Sequence, residues 1–156
     1  MWKRAFLCGA AVAAIATYMS ARELNQDELK MLQDPGGWEY ITIGDDDAGI
    51  QTQHTCFDGQ PHPNECSGTL RLDADHTFVQ QVHIHGKTVA RHGTYALDGS
   101  QITLFDEFGT KDGPYQLTID THAKRLTLEM PQVRAELELE KEYKKERARP
   151  ARTLAR

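Results

Sequence analysis

Eight short segments rich in β-branched and aromatic residues follow one another between Trp38 and Glu140, and no other feature of the sequence constrains the fold as tightly. They run Trp38 to Ile43, Thr69 to Asp73, Thr77 to His85, Thr88 to Leu97, Gln101 to Asp106, Tyr115 to Asp120, Arg125 to Met130 and Val133 to Glu140. Turn chemistry separates them, so each reads as a strand. Pairing them is a test, because in an antiparallel pair the turn dictates which side chains share a face. A two-residue turn at Gly86-Lys87 sets Ile84 opposite Val89, Val82 opposite Arg91, Gln80 opposite Gly93 and Phe78 opposite Tyr95. A turn at Gly99-Ser100 sets Leu97 on Ile102 and Tyr95 on Leu104, and a longer loop then sets Leu104 on Tyr115 and Ile102 on Leu117. The last two turns pair Ile119 with Leu126, Leu117 with Leu128, Met130 with Val133, Leu128 with Ala135 and Leu126 with Leu137. One apolar face therefore runs through the last six strands, while Arg134, Glu136, Glu138 and Glu140 alternate on a wet face. An all-β, eight-stranded antiparallel up-and-down barrel satisfies this pattern, since closure removes the sheet edges and leaves an interior for side chains or one small ligand.

The ends of the chain read differently. MWKRAFLCGAAVAAIATYMSA carries Lys3 and Arg4, then an uncharged run, with small residues at Ala14, Ala16 and Ala21, so residues 1–21 read as a secretory signal peptide. An uncleaved anchor stays open as the alternative, although the run is shorter than the roughly 20 residues of a membrane span. Residues 22–140 form the barrel domain, and 156 residues with 39% hydrophobic content suffice for that single core. The domain carries 21 acidic and nine basic side chains, which makes nucleic acid a poor partner. Residues 141–156 carry seven basic and two acidic side chains and read as a solvated, disordered tail, because Pro150 breaks a helix and no apolar stripe accompanies the charge. Contact of this tail with a phosphate or membrane surface is the minor alternative.

Signal cleavage would remove Cys8 and leave Cys56 and Cys66 as the only pair, facing an oxidising compartment. A disulfide between them is expected, closing a short segment that contains Gly59, Pro61 and Pro63 and has no hydrophobic pattern of its own. The expected localisation is periplasmic or secreted.

Ahead of the strands, Asn25 and Glu28 frame a capped helix that ends at Asp34-Pro35-Gly36. A short helix, then Gly36-Gly37-Trp38 opening the first strand, then eight meandering strands: over residues 25–140 this resembles the lipocalins, whose Gly-x-Trp motif sits at the closed end of the barrel. The long connection from Gly44 to Gly68 matches the one that in lipocalins lies over the open end. Two departures stand. No second or third lipocalin signature is found, and Ile41 and Ile43 fall on the face opposite Trp38 and Tyr40, which a β-bulge would reconcile. The resemblance implies an exported binding protein for a small apolar or fatty-acid-like ligand. The alternatives are a cell-envelope module that binds or inhibits another protein, and a surface metal binder.

The same strand parity selects the candidate site. Arg91 points inward, diagonal to Gln80 and on one strand face with Tyr95, and a buried guanidinium needs an acceptor. Two acceptors remain open. Asp106 shares the inward parity and pairs opposite Gly93; the other is a ligand carboxylate whose chain lies against Phe78, Val82, Leu104, Leu117 and Leu128. The ligand-binding candidates are Arg91, Gln80, Phe78, Tyr95 and Tyr115. His83, His85 and His92 fall on the outer face of one hairpin, where three imidazoles form candidate Zn or Cu ligands, with His54 and His62 in the long loop as additions. No neighbouring carboxylate or thiolate completes that site, so the ribbon reads as wet surface and no metal or other cofactor is expected. Asp45-Asp46-Asp47 lacks the alternating spacing of a calcium loop and reads as a polar turn. Ser67 and Ser100 have no base at recognisable spacing and the cysteines are committed to a disulfide, so the chain is not expected to be an enzyme.

Overall fold

The structure is a computed structural model that describes residues 22–47, 49–131 and 133–149. The proposed signal peptide and the last seven residues lie outside that range. Helix α1 spans Gln26–Leu32, and nine strands follow: β1 Trp38–Asp47, β2 Ile50–Thr55, β3 Cys66–Leu72, β4 Thr77–Ile84, β5 Lys87–Asp98, β6 Gln101–Asp106, β7 Lys111–Asp120, β8 Arg125–Met130 and β9 Val133–Leu139. Helix α2, Glu140–Ala148, ends the described chain. From β3 to β9 each strand pairs antiparallel with the next, and β1 closes the sheet by pairing with both β3 and β9. The result is the expected closed barrel of eight strands.

Alpha1 forms because its ends are satisfied. The Asn25 side chain accepts from the Glu28 backbone N–H at 2.9 Å, and the Glu28 carboxylate accepts from the Asn25 N–H at 2.8 Å. Arg22 pairs with the same carboxylate and, with the cap, holds it below the usual carboxylate range. The helix buries Leu32 over one end of the barrel, where the Trp38 indole N–H donates to the Leu32 carbonyl at 3.1 Å. Gln33 donates to the Tyr95 hydroxyl at 2.8 Å, and Tyr95 donates to the Asp73 carbonyl at 2.8 Å. That end is closed; the opposite end is the mouth. Between them Trp38, Leu70, Leu72, Phe78, Ile102, Leu126 and Leu137 are almost wholly buried. Each such side chain contributes about 1.5–3 kcal/mol of burial.

Beta1 contains the bulge that its pattern requires. Its register against β9 shifts between Tyr40 and Thr42, so Trp38, Tyr40 and Ile43 all face the core while Ile41 faces out. Ile41 is nevertheless buried, because the loop after β2 folds over it and the Cys56 and Phe57 N–H groups donate to its carbonyl at 2.7 and 3.1 Å. Cys56 and Cys66 are bonded, with Cα atoms 4.7 Å apart. This clamp ties the loop to the start of β3, opposite Ile84 at the mouth.

Three expectations are corrected. The connection from Gly44 to Gly68 is not all loop, because β1 continues to Asp47 and β2 folds back on it, pairing Thr42 with Thr55 through Asp47 with Ile50. Asp45, Asp46 and Asp47 therefore lie in a strand and not in a turn. The β4–β5 turn is His85-Gly86, both residues at positive φ (51° and 70°), so Val82 faces Val89 and Gln80 faces Arg91. This is two residues from the expected register and keeps the same faces. Finally, the basic segment from 141 is helical as far as Ala148. Glu, Lys, Arg and Ala are strong helix formers, Lys144 pairs with Glu140, Lys145 pairs with Glu142 at 3.0 Å, and the Tyr143 ring packs on Phe57 at 4.5 Å. The helix ends at Ala148, with Arg149 as its C-cap in extended conformation.

Candidate functional site

Polar side chains from four strands meet inside the barrel. Gln80 on β4 and Arg91 on β5 face each other across the hairpin, and Tyr40 on β1 projects inward opposite Leu137. The fourth strand contributes through an irregularity. The expected pairs Leu104 on Tyr115 and Ile102 on Leu117 do not form, because the β6–β7 register slips between Ile102 and Leu104, pairing Ile102 with Tyr115 but Leu104 with Asp112. One extra residue on β7 reverses the facing of what lies beyond it, so Asp112 turns inward together with Tyr115. Gly113 makes this fit. Its φ is 109°, and a Cβ there would sit 2.9 Å from the Ile102 carbonyl oxygen.

These groups form one connected network. The Arg91 Nε donates to the Gln80 side-chain oxygen Oε1 and a terminal nitrogen pairs with Asp112. Gln80 donates from its amide to the Tyr40 hydroxyl at 2.6 Å, and Tyr115 donates to the second Asp112 oxygen at 2.6 Å. Burial pushes the Tyr40 hydroxyl up to about 12. Tyr115 is raised as well, by burial first and then by its bond to the Asp112 carboxylate and the charge there. Both tyrosines are therefore donors throughout the physiological range. The Arg91 and Asp112 side chains remain about a quarter exposed, at 26% and 22%, because they lie toward the mouth.

Beside the network is a cavity of about 110 Å³. Tyr40, Gln80, Arg91 and Tyr115 supply its polar wall, and Ile43, Val82, Leu104, Leu128, Val133 and Ala135 its apolar one. Of the ligand-binding candidates, Gln80, Arg91 and Tyr115 come together here. Phe78 and Tyr95 do not line the cavity: Phe78 pairs opposite Leu72 and Gly93, and Tyr95 is held by Gln33 and Asp73 at the closed end. Arg91 takes Asp112 as its acceptor in place of Asp106. Asp106 does face Gly93, as its parity demands, but its carboxylate accepts the Phe108 and Thr110 N–H groups of its own turn at 3.0 and 2.7 Å. Tyr40 and Asp112 are the members of the site that sequence reasoning missed. An inward Tyr40 was legible from Trp38 two residues earlier; Asp112 was hidden by the bulge.

The histidines go separate ways. His83 faces out and its Nδ1 shares a hydrogen bond with Thr88 at 2.9 Å. His85 occupies the turn, with its ring edge-on to that of His54 at 4.6 Å between centroids. His92 faces Glu107, 4.0 Å away. Among the described residues no three His, Cys, Asp or Glu side chains are grouped to hold a metal.

The fold and the site define a closed, eight-stranded antiparallel barrel with an internal polar cluster beside a small cavity near its mouth. Comparison with protein-family models, with curated proteins and with solved structures finds no match to this chain in any of the three. The disulfide fits an oxidising extracellular compartment, and among the described residues no helix is long and apolar enough to cross a membrane.

Proposed function

We propose that this chain is an exported, lipocalin-like binding protein that holds a small, largely apolar molecule in the mouth of its barrel. The observation that carries this reading is the cavity itself, in which apolar walls converge on a few fixed polar groups, the usual composition of a small-molecule site. At about 110 Å³ it lies below the roughly 300–1,000 Å³ of drug-sized pockets, so a small ligand, or one end of a larger one, is the fit. Strand geometry supports a rigid, preformed site, because the polar groups sit on paired strands and not on loops. Native mass spectrometry of protein isolated from its own compartment tests both halves of the proposal. The expected species begins after residue 21 and carries a small molecule that is lost on unfolding. A chain that retains residues 1–21, or one that carries nothing and binds no small apolar probe, refutes the corresponding half.

The β1–β2 ribbon favours a second reading, a cell-envelope module that binds or inhibits another protein. The ribbon presents Ile50 at its tip, 70% exposed, beside a groove of about 390 Å³ lined by Gln51, Gln53, Glu129, Pro131 and Arg134. Shortening the ribbon would abolish partner capture while leaving cavity binding intact.

A further inference from the structure

The hydrogen bonds beside the cavity run in one direction. Arg91 donates to the Gln80 oxygen, Gln80 donates to the Tyr40 oxygen, and the Tyr40 hydroxyl proton meets no acceptor among the described residues. A cation at the head of such a chain polarises each donor after it, which strengthens the last O–H as a donor. Tyr40 is a cavity-lining residue, 4% exposed, and burial keeps its hydroxyl protonated.

The Asp112 carboxylate is already engaged from within the network. Both Asp112 oxygens are engaged, one by Arg91 and one by Tyr115, and the Arg91 charge is matched by Asp112. The polar wall is therefore neutral overall and offers donors. A carboxylate entering the cavity would have to displace Asp112 from Arg91 or lie close to its negative charge, in a setting where like charges repel strongly. An uncharged oxygen meets no such opposition.

We infer that the site takes a small uncharged molecule bearing an acceptor oxygen, of the ketone, aldehyde or ester class, whose oxygen accepts the Tyr40 hydroxyl while its apolar body lies against Ile43, Leu104 and Leu128. This rests on the reading of the cavity as a binding site and narrows it. The size agrees: a dry cavity of about 150 Å³ holds benzene, and the cavity here, about 110 Å³ with its mouth side partly open, suits a body of about six heavy atoms.

The test titrates the disulfide-bonded protein with cyclohexanone, cyclohexanecarboxylate and toluene, following backbone amide NMR shifts of interior residues. In wild type, cyclohexanone is expected to bind at least tenfold tighter than cyclohexanecarboxylate. Tyr40→Phe, which removes only the donor oxygen, is expected to weaken cyclohexanone at least tenfold and leave toluene unchanged. Carboxylate binding tighter than ketone, or ketone binding indifferent to Tyr40→Phe, overturns the inference while leaving a binding site in place. If none of the three probes shifts an interior amide, the binding-site reading fails and the inference with it. Should Tyr40→Phe not fold, the carbonyl stretch of ¹³C-labelled cyclohexanone bound to wild type decides: a frequency below that in hexane supports the hydrogen bond, and an unchanged one refutes it.

Discussion

Removing the Asp112 charge is the sharpest perturbation of the internal network. Asp112→Asn keeps the side-chain shape and an oxygen for Tyr115, but leaves the Arg91 guanidinium without its counter-charge. Removing one partner of a buried pair costs about 3–5 kcal/mol, whereas exposed pairs are worth about 0.2–1 kcal/mol. With both side chains about a quarter exposed, the expected cost is about 1.5–2.5 kcal/mol. For a chain of this length, 2 kcal/mol corresponds to a fall in Tm of about 4–8 °C. Urea denaturation at constant m reads the change directly. Arg91→Met is expected to cost a similar amount, because it strands the Asp112 carboxylate. The double variant Arg91→Met, Asp112→Leu should recover at least half of the summed losses, since an apolar pair of similar volume is often neutral or better. Asp106→Ala is the control. It should lose about 1 kcal/mol through its two turn hydrogen bonds and show no coupling to Arg91. Additive Arg91 and Asp112 effects, or coupling of Arg91 to Asp106, would refute the network.

Three further outcomes follow from the same structure. Replacing Cys56 and Cys66 together by serine should lower stability by about 2–3 kcal/mol, and non-reducing peptide mapping of wild type should show the two joined; freely alkylated thiols in the exported protein would contradict this. His83→Ala with His85→Ala should leave the folding midpoint insensitive to Zn, as in wild type, because the rings diverge to Thr88 and His54; a Zn-dependent rise in wild type that vanishes in the variant would show a site. Glu138, expected from strand alternation on the wet face, is instead buried with one carboxylate oxygen lacking a partner, and burial raises its carboxyl above the ordinary range despite Arg125 at 3.3 Å. An acid raised in the folded state favours folding while protonated and loses that advantage as pH climbs through the ordinary range toward the folded value. Glu138→Gln should therefore gain stability over wild type as pH rises through that window, read as urea midpoints between pH 4 and 8, and a difference independent of pH would refute the assignment.

Strand parity was legible because it is local. Side chains alternate with period two, so the inward placement of Gln80, Arg91 and Tyr115, and the outward placement of His83 and His92, follow from neighbours a few residues away. Tight turns carried register where glycine left one solution, as at Gly99-Ser100, and the hairpins that pair Leu97 with Ile102 and Met130 with Val133 formed as read. The turn after Ile84 had two solutions of equal parity, and the choice between them fell to His85 accepting a positive φ.

What the sequence by itself determined was therefore the class of fold, the disulfide and the inward placement of Gln80, Arg91 and Tyr115, all of which depend on alternation, composition and spacing. Tertiary structure decided the rest. The polar segment Ile50–Thr55 carries no apolar alternation, and became a strand because the continuing β1 offered it an edge. The helix Glu140–Ala148 lacks an apolar stripe, and lies where Tyr143 meets Phe57, a residue placed by the clamp at Cys56. Asp112 became the partner of Arg91 through one extra residue on β7, a register slip visible only when both strands are laid side by side. The cavity follows from the same cause, since its polar wall is assembled from β1, β4, β5 and β7, and the spacing between strands far apart in sequence is set by closure of the barrel and by no segment alone.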